Sequence, residues 1–322
     1  MRVFLKHIAS FCLLLLVLAI LADVCVSRGL RKTERGHFYT MNALMNERMD
    51  ADIVIIGNSR AACSYNPMVL DTVLDVNSRN LGVSGQPFGV SWLRWQLYRR
   101  NNVLPKLLIV NIDYSELNLV TNGFEKEQYY PYLTDTLVKP YLDLYGLSWA
   151  EKHVPMYRYR GDPKLIGIGL MELLGIRHDT KGHYYKGYSN YDSAWNGERL
   201  ESMLQKGNIK DASNEKAVGL LEGLLVQARN DNLPVVFVYA PLYKKLKDNL
   251  DERESRTIYQ ELSSKYDIPI IDLSGMSICS DTGFFKDANH LNSKGAELFS
   301  VALSHSIDSL GILDNKQKTI LE

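Results

Sequence analysis

The stretch ADIVIIGNSRAACSYNP, Ala51–Pro67, decides how the rest of the chain is read. Ile53 to Ile56 are four apolar residues in a row, too short a run for a buried helix and right for a strand covered on both faces. The strand ends on Gly57-Asn58-Ser59-Arg60, and a helix-like stretch follows. Taken alone, Ser59 is an ordinary helix cap. A chemical role needs a base, and a group to orient that base, elsewhere in the chain.

Outward from this point the pattern repeats. A helix is expected from Pro67 to Leu74, and Val76–Leu81 then runs into the glycine-rich turn Gly82-Val83-Ser84-Gly85. A helix with Trp92, Trp95 and Leu97 precedes a third apolar strand, Leu107–Ile112. From Leu119 to about Gly207 no strand is legible. That tyrosine-rich stretch contains one apolar helix, Pro163–Gly175. Alternation resumes with a helix over Ala212–Asp231, the strand Pro234–Tyr239, a helix around Glu252–Lys265, the strand Pro269–Asp272 and a last helix over Ser293–Leu310. Apolar strands alternating with helices predict a five-stranded parallel sheet covered on both sides, with a mainly helical insertion at about 119–207. Ligands of such sheets sit at the carboxyl ends of the strands, where Ser59 falls.

Ile8–Ala22 carries no charge, and Val24-Cys25-Val26 prolongs it past Asp23. It predicts a transmembrane signal anchor over 1–27, favoured over a cleaved signal peptide because Ile20-Leu21-Ala22 makes a poor small-x-small site. Arg28–Asp50 reads as a tether, 51–312 as the α/β domain and 313–322 as a tail. Basic residues flank the span on both sides: Arg2 and Lys6 before it, Arg28, Arg31, Lys32 and Arg35 after it. Loop charge alone would keep the main domain inside, whereas the overall layout is that of an exported protein. The expectation is a single pass through a bacterial inner membrane with the main domain periplasmic.

Lysine plus arginine and aspartate plus glutamate number 37 each, so no basic footprint for nucleic acid exists. Outside the apolar segment only Cys63 and Cys279 remain, which favours two buried free thiols over a bridge. No metal-ligand spacing and no dinucleotide fingerprint is present, so neither metal nor cofactor is expected.

The partners Ser59 needs lie in FFKDANHLNSKG. Asp287 and His290, three apart, stand before the last helix, where one loop can present a carboxylate and an imidazole together. Gly57-Asn58-Ser59 resembles the GDS block of the SGNH (GDSL-type) hydrolases, with asparagine in place of aspartate. Asn80–Gln86 is similar to that family's second block, and Asp287-Ala288-Asn289-His290 to its DxxH block. The resemblance covers about 51–115 and 212–306. It implies a flavodoxin-like three-layer α/β/α fold and a Ser59–His290–Asp287 triad. The oxyanion hole it implies is built from the amides of Ser59 and Gly85.

One block departs from the family. The GxND loop, slid onto the end of the third strand, puts Ser115 and Glu116 where Asn and Asp would stand. Asn111 comes four residues too early. Asn111 and Ser115 are therefore the candidates for a further oxyanion donor. Asn58, Arg60, Tyr188 and Trp195 are candidates for substrate contact, and Arg158, Arg160, His178, His183 and Lys186 for anionic groups. The resemblance implies an esterase or O-acyltransferase for an acylated glycan of the cell envelope. The alternative is a catalytically inactive relative that binds glycan or assists envelope assembly.

Overall fold

The computed structural model describes residues 1–46, 48–85, 87–118, 125–142, 146–176, 184–205, 207, 209–211 and 213–313. The chain divides into two compact units. Unit 1 is Met1–Asn46 with Glu125–Gly182, and unit 2 is Glu47–Phe124 with His183–Glu322.

Unit 1 is built on helix α1, Arg2–Leu30. It is long and apolar enough to cross a membrane, and its apolar window is covered by nothing in the structure. The last turns change character, because Val26 and Leu30 are fully buried. The 28–50 segment, expected as a tether, instead completes α1 and forms helix α2, Phe38–Asn46, whose Phe38, Met41 and Leu44 are buried. Asn42 donates to the carbonyls of Leu30 and Thr33 at 2.8 Å and accepts from Tyr132 at 2.7 Å, fixing the turn. The charged residues that suggest a tether line the outside of a packed helical turn.

Unit 2 holds the sheet. Its strands are β1 (Ile53–Ile56), β2 (Ser78–Asn80), β3 (Leu107–Asn111), β4 (Val235–Tyr239) and β5 (Ile270–Asp272). They lie side by side in the order β2-β1-β3-β4-β5, and every pairing is parallel. This is the doubly wound flavodoxin-like order, whose direction of winding reverses between β1 and β3. Side chains alternate across it. Ile53, Ile55, Leu107, Ile109, Val236 and Val238 join one core with Phe299, Leu303 and Ile307 of the last helix. On the opposite face Phe237 meets Tyr259 edge-on at 6.0 Å. Helices α3 (Ser59–Ser64), α4 (Pro67–Leu74) and the last helix, Ser293–Ser309, pack together, as do α5 (Phe88–Asn101) and Glu215–Asn230. The fold is three-layer α/β/α, as the sequence predicts.

Of the segment 119–207, the described residues from Tyr184 onward group with the sheet. They contain a small hairpin, Tyr184–Tyr185 with Tyr188–Ser189, and the helix Glu198–Gln205. Cys63 and Cys279 are both buried and form no disulfide with each other.

Candidate active site

The site grows from the end of β1. Gly57 has φ +147°, a conformation that side chains rarely adopt, and a Cβ there would stand 2.8 Å from that of Asn111. Only glycine lets the chain turn here against β3. Asn58 then caps α3, its side-chain oxygen accepting the Arg60 N–H at 2.9 Å. Ser59 is the first helical residue, so no carbonyl of the helix can accept its N–H.

Asp287 and His290 come from a tight hairpin in which they are direct cross-strand partners. Asp287 Oδ1 accepts the N–H groups of Asn289 (2.9 Å) and His290 (3.2 Å), which locks the turn. His290 Nδ1 lies 2.9 Å from both carboxylate oxygens, and its Nε2 lies 2.8 Å from Ser59 Oγ. Burial works to raise the Asp287 pKa. The His290 hydrogen bond and charge, with the Asn289 N–H, outweigh it and hold the carboxyl below its ordinary value. An ionised carboxylate can only accept, so Nδ1 carries the proton and Nε2 faces the Ser59 hydroxyl as an acceptor. That arrangement lets Nε2 draw a proton from Oγ. Residues 231 positions apart meet because β1 ends beside the switch point and the hairpin precedes the last helix.

Gly85 adopts φ +65° in an exposed turn. Val83 N–H donates to the Gly57 carbonyl at 3.0 Å, so the loop carrying Gly85 leaves the sheet alongside the serine turn.

Other expected contacts fall differently. Asn111 is fully buried. Its amide donates to Asp113 at 3.3 Å and its carbonyl accepts from the Tyr65 hydroxyl at 3.0 Å, so it is a core residue and not an oxyanion donor. Ser115 Oγ donates to Asp113 Oδ1 at 2.8 Å, which occupies its proton as well. Arg60 is buried, with its guanidinium on the carbonyls of Ala240 (2.6 Å) and Pro241 (3.0 Å) and 3.6 Å from Asp113. It ties α3 to the end of β4 and cannot reach a substrate. Tyr188 lies in the main core, where burial pushes its hydroxyl well above the usual tyrosine range. Asn58 Nδ2 is held by Asp113 (2.9 Å) and Ser115 (3.3 Å).

Trp195 stands as a candidate wall. It is half-buried, its ring 4.7 Å from that of Tyr243. Asn196 N–H donates to the Lys286 carbonyl and Tyr243 N–H to that of Ala288, so both rings flank the His290 hairpin. Lys186 pairs with Asp71 and Asn77 instead of facing a ligand. Arg158 pairs with Asp23 in unit 1, and Arg160 lies over the Tyr157 ring there. His178 and His183 lie outside the described residues. Among the described residues no cluster of metal-ligating side chains occurs.

Three participants escaped the sequence. Glu116 is fully buried and accepts the Asn58 N–H at 2.9 Å and the Ser91 hydroxyl at 3.3 Å. Burial first, then the neighbouring Asp113 charge, raises its pKa well above the ordinary range. Tyr114 donates to Asn289 at 2.8 Å, bracing the hairpin; burial and Asp113 push its pKa up to about 12. Arg199 is exposed, and its charge helps hold down the Asp287 pKa. The spacing Asp113-x-x-Glu116 just past β3 is the signal that marks the first of these.

Fold and site define an α/β/α protein with a Ser–His–Asp constellation at the carboxyl edge of its sheet. The strand order, the serine after β1 and the DxxH before the last helix are the arrangement that the SGNH resemblance implies. No family model matches the chain, and no curated protein sequence is similar to it. Among solved structures it is similar to a GDSL-like lipase from Bacteroides thetaiotaomicron (12% identity, TM-score 0.36, 80% of this chain and 88% of that one). It is also similar to a protein of the G-D-S-L family from Desulfitobacterium hafniense (12%, 0.38, 79% and 98%). A Lactobacillus plantarum protein matches comparably (12%, 0.39, 80% and 96%). At those TM-scores the likenesses carry no weight for the chemistry, which rests on the geometry of Ser59, His290 and Asp287.

Proposed function

We propose that this chain is a membrane-anchored serine acyl-ester hydrolase or O-acyltransferase of the SGNH kind, acting on an acylated glycan of a bacterial cell envelope. The observation that carries the reading is the continuous relay Ser59 Oγ–His290 Nε2/Nδ1–Asp287. Ser59 Oγ attacks the ester carbonyl as its proton passes to Nε2, and Asp287 holds Nδ1–H and stabilises the imidazolium. The backbone amides of Ser59 and Gly85 take the oxyanion. Collapse expels the alcohol, which receives the proton from His290. Water or a glycan hydroxyl then attacks the acyl-enzyme as His290 takes its proton, and collapse breaks the bond to Ser59, returns that proton to Oγ and releases the acid or the transferred ester. The chemistry needs no cofactor.

The glycan is favoured by the paired rings of Trp195 and Tyr243, since flat apolar faces with polar rims suit sugar rings. Exposed Arg199 offers a cation to an anionic sugar. The anchor is favoured because α1 runs unbroken from the apolar stretch into the core of unit 1. We assign it to the inner membrane with the main domain periplasmic; an active C-terminal alkaline-phosphatase fusion is the expected outcome.

A second reading, a non-catalytic glycan-binding protein, draws on the occupied donors of Asn111 and Ser115. One experiment separates the two. The purified full-length protein is treated with a fluorophosphonate probe and, separately, with acetylated glycans, then examined by mass spectrometry. The enzyme reading expects an adduct on Ser59 that vanishes in Ser59→Ala. An unlabelled Ser59 in folded protein would leave the binding reading standing.

A further inference from the structure

Ser59, His290 and Asp287 all belong to unit 2, yet unit 1 holds a site of its own. A cleft of about 420 Å³ is lined by the last turns of α1 and by side chains between Tyr130 and Arg158. Among the described residues its charged lining is Arg28, Arg31, Lys152 and Arg158, with His153 and a single carboxylate, Asp23. That carboxylate is occupied: it pairs with Arg158 and accepts the Met156 N–H at 3.0 Å. Arg31 is held in place by the Pro131 carbonyl at 3.0 Å, with its guanidinium 5.2 Å from the centre of the Tyr132 ring. Lys152 is engaged by a partner of its own, and the three arginines against one carboxylate still leave a positive cleft that an anion would neutralise.

Its depth identifies the anion. The apolar side chains of α1 are exposed from Val3 to Val24. Past the charged Lys6, the stretch Ile8–Val24 is about 26 Å long at 1.5 Å per residue, the short end of what crosses a bilayer's hydrocarbon core. Val24, where the exposed stretch ends, also lines the cleft. Trp149 is 71% exposed, and its ring lies 5.2 Å from that of His153 on the cleft wall. Val154 and Tyr157 nearby are exposed too. Exposed tryptophan and tyrosine beside basic residues, at the end of a helix of lipid length, mark the level of the headgroups. A positive cavity at that level, rimmed with apolar side chains, fits a ligand with an anionic head and an apolar tail.

We propose that this cleft binds the phosphate headgroup of an anionic membrane lipid. Free phosphate shares the head chemistry but not the tail, so the test separates the two sources. Full-length protein in neutral detergent is offered phosphatidylglycerol and phosphatidylcholine with matched acyl chains, and retained lipid is counted by native mass spectrometry. Phosphatidylglycerol is expected to be retained preferentially, and excess inorganic phosphate to leave it in place. The preference should fall about fivefold for each cation removed in Arg28→Gln and Lys152→Gln. It should vanish in the double charge reversal Arg28→Glu/Lys152→Glu. The neutral single variants supply the answer should the reversal fail to fold. Equal retention of the two lipids, or a preference unchanged in the variants, overturns the proposal. Displacement by inorganic phosphate assigns the cleft to free phosphate and overturns its lipid source.

Discussion

Replacing Asp287 by asparagine should silence the relay more thoroughly than removing the side chain. Asp287 Oδ1 accepts two backbone N–H groups, from Asn289 at 2.9 Å and His290 at 3.2 Å. In Asp287→Asn the amide oxygen must therefore occupy that position, because an NH2 group there would face two donors. The NH2 group then takes the place of Oδ2, 2.9 Å from His290 Nδ1. It donates to Nδ1 in competition with the amide oxygen, which also lies 2.9 Å away, and so draws the imidazole proton toward Nε2, turning that nitrogen from acceptor to donor. Ser59 loses its base. A wrong tautomer in a serine triad costs about 10⁴ in rate, or roughly 5.5 kcal/mol of transition-state stabilisation. Asp287→Ala leaves Nδ1 to water and the tautomer free to interconvert, so its loss should be smaller. The assay is the rate of Ser59 labelling by a fluorophosphonate, read by mass spectrometry at saturating probe. Labelling in Asp287→Asn at the parental rate, or faster than in Asp287→Ala, would refute this account of the hydrogen bonds.

Gly57→Ala sets a Cβ 2.8 Å from that of Asn111 and 2.9 Å from that of Ala61, at φ +147°. It should destabilise the fold by about 1–3 kcal/mol in denaturant unfolding. By shifting the serine turn it should also slow Ser59 labelling about a hundredfold. Arg60→Ala strips a buried cation from Asp113 and from two carbonyls, and a loss of about 3–5 kcal/mol is expected in the same unfolding measurement. Glu116 ionises at a higher pH folded than unfolded, so it opposes folding increasingly as pH climbs from the ordinary glutamate value toward its folded one. Glu116→Gln removes that slope. Its melting temperature should fall less than the parent's between pH 5 and pH 8, a difference of about 2–4 °C per kcal/mol.

Strands β1, β3, β4 and β5 were legible as apolar runs with turn residues beyond them, whereas β2, Ser78-Arg79-Asn80, was legible only from its place before the Gly82–Gly85 turn. The parallel order follows from the helices between them. Ser59, Asp287 and His290 were legible for a different reason: reactive residue types stand at strand ends and at the foot of the last helix. The network beneath them was not. Arg60, Asp113 and Glu116 are charged residues that composition assigns to the surface, and nothing local shows that Arg60 pairs with Asp113 inside or that Glu116 takes up the Asn58 and Ser91 donors there. Tyr188 reads as a sugar platform by residue type alone, yet the hairpin that carries it folds onto α3 and buries it. The tether reading of 28–50 failed similarly. Its burial depends on residues about a hundred positions downstream, such as Tyr132 and Pro131.

The crossing of α1 with helix Lys164–Leu173 has one more consequence. A Cβ on Gly29 would lie 1.6 Å from the Gly169 carbonyl oxygen, so the two backbones are in direct contact where α1 enters unit 1. Ser27 also hydrogen-bonds the Tyr159 hydroxyl at 2.8 Å there. The helix is thus not a leash that can be cut to free an intact body. Its end is a keystone, and trimming the chain beyond Leu30 would leave unit 1 with a hollow where Val26 and Leu30 belong. Force or proteolysis applied to the membrane segment would be transmitted straight into that interior.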